Sequence, residues 1–83
     1  EEIDGTKMNI EEFGFHNMPV GEKRSIIELN IRNKTGANVI GIKDEKGFHV
    51  NPSSTYVIDK HSKLIVLGTD ESILKCKNLF SNH

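Results

Sequence analysis

The sequence contains no tryptophan, one tyrosine, two prolines and a single cysteine, Cys76. One thiol forms no internal disulfide, so the fold rests on packing, and the chain suits a reducing compartment. Long hydrophobic runs are missing too. The longest is Leu64-Ile65-Val66-Leu67, far short of the roughly 20 residues that span a bilayer. Charge of one sign does not dominate. Eleven basic and 12 acidic residues give a formal net charge of −1. That balance excludes the footprint of a general nucleic-acid binder. No signal peptide is visible. The first residue is Glu1 rather than methionine, as expected of a piece excised from a longer chain.

Catalytic signatures are also wanting. There is no phosphate-binding G-x-x-x-x-G-K-[ST], no G-x-G-x-x-G and no G-x-S-x-G. His16, His49, His61 and His83 are scattered, and none pairs with another histidine or with Cys76 at metal-ligand spacing. Glu11 and Glu12 are neighbours on an expected strand, so they point to opposite faces and do not form an acid–base pair. Cys76 falls on the apolar stripe of an expected helix and reads as core rather than nucleophile. The expectation is a binding or regulatory domain with no catalytic residues and no metal site, not an enzyme.

What is present is one small domain. A chain of 83 residues buries roughly 60–65% of its unfolded surface. Such chains often gain stability from a second copy. Residues 1–7, "EEIDGTK", read as a linker or frayed end. "MNIEEFGFH" reads as a strand in which Gly14 marks a bulge, and "NMPVGEKR" as a loop. Ser25-Ile26-Ile27-Glu28 matches a capping box. Arg32 and Lys34 complement a helix C-terminus, with Gly36 just past it. These predict a helix over 26–34, although Ile27, Leu29 and Ile31 also alternate as a strand would.

"ANVIGIK" (37–43) and "FHVN" (48–51) predict two strands joined by the "DEKG" turn. His49 should share a face with Asn51, opposite Phe48 and Val50. A short strand is expected near Tyr56 to Ile58. "KLIVLG" (63–68), apolar on both faces, predicts a central, fully covered strand. Thr69 or Asp70 can cap a last helix over about 71–80, with Ile73, Cys76 (or Lys77) and Phe80 on one stripe. The fold class is α+β: a β-α-β-β-β-α domain whose antiparallel-rich sheet is covered by two helices.

One constellation invites a ligand. Arg32 near a helix end and Asn38 opening a strand flank the Gly36 turn. They would place a planar fork of donors beside an amide. Ile26 and Ile27 at the helix start and Pro52 beyond the hairpin supply apolar walls. Such a pocket suits a phosphorylated, planar ligand. A plainer reading stands beside it: Arg32 and Lys34 complement the helix dipole, and Asn38 caps the turn.

Three segments carry a family resemblance. They are "ELNIRNKTGANVIGIK", "GFHVNP" and "KLIVLGTDESI". Together they resemble the TrkA-C domain, also called RCK_C, the C-terminal lobe of potassium-conductance regulators, over about residues 8–80. The resemblance extends the expected domain to 8–83. It implies a cytoplasmic domain attached to a membrane-embedded potassium channel or cation transporter, of the same or a partner chain. It further implies a homodimer that couples ligand binding to gating; the charge balance, separately, speaks against a nucleic-acid polymer as partner. Some members bind the nucleotide second messenger cyclic di-AMP across the two-fold axis, and the matching positions here are Ile26, Ile27, Arg32, Asn38 and Pro52. Two departures stand out. Lys34 replaces an aromatic sometimes found after the arginine, and Lys60-His61-Ser62 replaces a common Gly-Asp turn. Two alternatives remain at this point: a ligand-free dimerisation module, and a ferredoxin-like effector-binding domain, which strand order would distinguish.

Overall fold

Alternating and β-branched segments assemble into an antiparallel sheet of four strands. In the computed structural model, which describes residues 1–81, these are β3 (Asn9–Gly14), β5 (Asn38–Asp44), β6 (Gly47–Val50) and β8 (Lys63–Gly68). Their order across the sheet is β3-β8-β5-β6. The apolar β8 is therefore central, as its composition predicts. Every pair is antiparallel, which sets aside the ferredoxin-like alternative, since a split βαβ unit pairs parallel strands. His83 and the end of the expected 8–83 domain lie outside the described residues.

Helices cover one face. The last helix, α3 (Asp70–Ser81), follows Thr69, whose hydroxyl accepts from the Ser72 amide at 3.2 Å and so supplies the cap. Its inward stripe is Ile73, Cys76 and Phe80, not Lys77. Ile73 and Cys76 are buried and Phe80 packs against the core. Phe80 also meets Phe13 and Phe15 at ring-centroid distances of 5.3 and 5.2 Å. Leu64, Val66, Ile42, Ile58 and Cys76 are completely buried, the four aliphatic side chains contributing about 1.5–3 kcal/mol each.

The other face is not covered. The run Leu64–Leu67 predicts cover on both sides, but Ile65 and Leu67 are only half-buried. Beside them Ile10 and Val50 are 64% and 67% exposed. The helices pack on the Leu64–Val66 side, and among the described residues no element returns across the other.

Three further departures have local causes. The helix expected over 26–34 is two short ones, α1 (Ile26–Leu29) and α2 (Ile31–Thr35). Asn30 breaks them by adopting the left-handed conformation, φ 52°, which asparagine tolerates better than most residues. The bulge lies not at Gly14 but in β5. Val39 pairs with Val66 and Gly41 with Ile65, leaving Ile40 extra. The expected 17–24 loop ends in a strand, β4 (Arg24–Ser25), that pairs with β7 (Val57–Ile58).

Residues 1–7, expected as linker, form a small exposed hairpin. In it β1 (Glu2–Ile3) pairs with β2 (Thr6–Lys7) around Asp4-Gly5. Asp4 and Gly5 both have positive φ, as a tight Asp-Gly hairpin turn requires. His49 lies on the covered face of β6 and Phe48 and Val50 on the other, as their alternation predicts.

Candidate functional site

Local sequence builds the corner that holds Arg32 and Asn38. Ser25 caps α1: its Oγ accepts from the Glu28 amide at 3.2 Å, and Glu28 Oε1 accepts from the Ser25 amide at 2.9 Å. That backbone donor, then the Ser25 hydroxyl, holds the Glu28 carboxyl below its ordinary value. The next amides of the helix find partners in the 51–56 loop. Ile26 N donates to the Tyr56 carbonyl at 3.0 Å and Ile27 N to the Ser54 carbonyl at 2.8 Å. A stretch that starts a helix is thereby stitched to the loop carrying Pro52.

The chain then restarts at Ile31, which is buried, and turns Arg32 outward. It closes at Gly36, φ 83°, whose amide donates to the Arg32 carbonyl at 2.8 Å. Ala37 is fully buried and Asn38 opens β5 on the uncovered face, opposite Leu67.

The result is one open concavity of about 260 Å³ lined by Ile26, Ile27, Arg32, Asn38 and Pro52. All five residues singled out from the sequence border it. Arg32 and Asn38 make no side-chain hydrogen bond or ion pair among the described residues, and both are exposed. Ile27 is 64% exposed at the rim. The site thus pairs an apolar wall with two polar groups whose hydrogen-bonding capacity is unspent. Asn30 and Ser54 also line it and were missed. Ser54 enters through its loop and belongs to no pattern. The signal for Asn30 is an asparagine inside an apparently helical run.

A second polar cluster sits at the β5–β6 hairpin. Asp44 accepts from the Tyr56 hydroxyl, from His49 Nε2 at 3.0 Å and from the Lys46 amide at 2.9 Å. The Tyr56 hydroxyl, more than His49, holds the Asp44 carboxyl below its usual value. In return Asp44 pushes the Tyr56 phenol up to about 12. The His49 and Tyr56 rings lie 4.9 Å apart. A cavity of about 360 Å³ adjoins this cluster, larger than the first. Its central carboxylate and phenol are already partnered within the chain, so it has less to offer a ligand. No group of three histidine, cysteine or acidic side chains is arranged to hold a metal among the described residues.

A family model for the TrkA-C domain matches residues 20–81. The chain belongs to the TrkA-C family. Among curated relatives, this TrkA-C domain is 36% identical over 56 residues to "Probable potassium channel protein 2" of Methanocaldococcus jannaschii. The match spans 68% of this chain but only 16% of that protein. Among solved structures it resembles the RCK_C domain dimer of S. agalactiae BusR in complex with c-di-AMP. The TM-score is 0.75 at 26% identity, over 89% of this chain and 97% of that one. It also resembles the RCK C domain of the potassium transport protein KtrA in complex with c-di-AMP. There the TM-score is 0.72 at 29% identity, over 87% of this chain and 82% of that one. The α+β class expected from the sequence is the fold these domains share.

Proposed function

We propose that this TrkA-C domain is the ligand-sensing part of a potassium channel or transporter and works as a homodimer that binds cyclic di-AMP. One observation carries the reading: Ile26, Ile27, Arg32, Asn38 and Pro52 border a single concavity whose guanidinium and amide have no partner among the described residues. A symmetric dinucleotide carries two phosphates and two bases. Two copies related by a two-fold axis give each half one arginine for the phosphate and one asparagine for a polar edge. The adenine faces rest on Ile26, Ile27 and Pro52. Two related domains solved with c-di-AMP support the same ligand. The domain performs no catalysis. It stands at the cytoplasmic face, where unequal binding to two arrangements of the dimer biases the attached membrane part.

Calorimetric titration with cyclic di-AMP tests this. Wild type should bind one dinucleotide per two chains. Arg32→Ala should weaken binding by about tenfold or more, about the 1.4 kcal/mol or greater expected of a lost charge-assisted contact, and Asn38→Ala by about fivefold, as for a lost neutral hydrogen bond of about 1 kcal/mol. Absence of heat with wild type, or equal heat with Arg32→Ala, removes the ligand. A dimer that forms without ever binding the dinucleotide leaves a pure dimerisation module.

A further inference from the structure

We propose that Thr35 is the positioning residue of this site: its hydroxyl fixes the turn that sets Arg32 and Asn38 at the separation the ligand needs. This rests on the reading of the concavity as a cyclic di-AMP site. Thr35 stands midway between the two, three residues from each, and is 4% exposed. A hydroxyl has one hydrogen to give and two lone pairs, and here all three are used. Oγ1 donates to the Ile31 carbonyl at 2.7 Å, accepts from the Ala37 amide at 3.0 Å and receives the Cys76 thiol at 3.4 Å.

Ile31 precedes Arg32 and Ala37 precedes Asn38. A single oxygen therefore ties together the residues just before the two ligand-facing side chains. Cys76 anchors that oxygen to α3. The turn also lies close against α3, since a Cβ on Gly36 would be 2.9 Å from Ser72 Oγ.

Valine copies the shape of threonine without its oxygen. The Ala37 amide, in a residue with no exposure, would then lack its partner. Buried amides rarely stay unpaired, so the backbone would turn toward another acceptor and carry Asn38 with it. Serine keeps the oxygen and loses only a methyl group.

The test has two arms. In the first, cyclic di-AMP is titrated into wild type, Thr35→Ser and Thr35→Val, each at a temperature where circular dichroism shows it fully folded. Thr35→Ser should bind within about twofold of wild type. Thr35→Val should bind roughly tenfold more weakly, inside the range of about 5- to 150-fold usual for coupled sites. In the second, amide hydrogen exchange is followed in wild type with and without the dinucleotide. Because linkage is reciprocal, the ligand should slow exchange at Ala37 more than at Val66 in β8. Thr35→Val with lower heat stability but wild-type affinity would assign the hydroxyl to stability alone and overturn the proposal. If Thr35→Val does not fold, exchange decides, and unchanged protection at Ala37 overturns it. Absence of binding by wild type is a different failure. It removes the ligand reading itself, and this proposal with it, before any Thr35 variant is compared.

Discussion

Two polar corners of this small domain follow opposite rules. At the β5–β6 hairpin, Asp44 accepts from both Tyr56 and His49. Around the 260 Å³ concavity, Arg32 and Asn38 are bonded to nothing among the described residues. The first corner spends its polarity inside the chain and so contributes to stability. The second leaves its polarity unspent on a rigid frame, and a group that does not help the fold is free to serve a ligand. The same 51–56 loop joins them, with Tyr56 in one corner and Pro52 in the other.

The contrast can be broken or sharpened by mutation. The largest effect should come from neither corner. Leu64→Ala, at a fully buried position, should cost about 2–5 kcal/mol in urea unfolding and lower stability at both corners together. Arg32→Ala should leave unfolding within about 0.5 kcal/mol of wild type while weakening cyclic di-AMP binding by about tenfold or more. A large loss of stability there would erase the distinction between the corners.

Tyr56→Phe should do the reverse, lowering the melting temperature with little change in affinity. Its signature is pH dependence. Asp44 titrates below its unfolded value of 3.8, so its contribution is present above that value and lost as pH falls through the lower, folded one. Tyr56 titrates above its unfolded value of 10.0, at about 12. Its contribution is present below 10.0 and lost as pH rises through about 12. The melting-temperature gap between wild type and Tyr56→Phe should therefore be flat near neutrality and close at both extremes. Smallest of all, Ile10→Ser on the uncovered sheet face should shift unfolding of the isolated chain by no more than about 0.5 kcal/mol.

Much of this was legible in the sequence. The capping box at Ser25 and Glu28 and the glycine that ends α2 follow from local chemistry, and both formed. The convergence of Ile26, Ile27, Arg32, Asn38 and Pro52 on one concavity came from placing a turn between a cation and an amide, helped by a family likeness. Asn30 was obscured because Leu29 follows Ile26 at i+3 and Ile31 follows Ile27 at i+4, the apolar spacing of a continuing helix, while the asparagine between Leu29 and Ile31 leaves it. The short strand expected near Tyr56 to Ile58 formed as β7, but its partner β4 was invisible, since a two-residue strand has no periodicity to read. The Asp4-Gly5 turn did carry a hairpin signal, masked by the polarity around it. An apolar run such as Leu64–Leu67 reports that both faces avoid water, but not whether this chain supplies both covers.

The extra residue in β5 has a consequence for how the domain tolerates change. Side chains along a strand follow an odd–even count, and the insertion at Ile40 resets it. Counting back from Gly41 and Lys43 on the open face, an uninterrupted strand would send Asn38 toward the helices. Ironing out the bulge with every residue kept would thus invert Asn38 without altering a single side chain. Loss of Ile40 itself would leave Val39 opposite Val66 and Asn38 opposite Leu67 in a regular ladder, so recognition is exposed to a straightened strand and not to a shortened one.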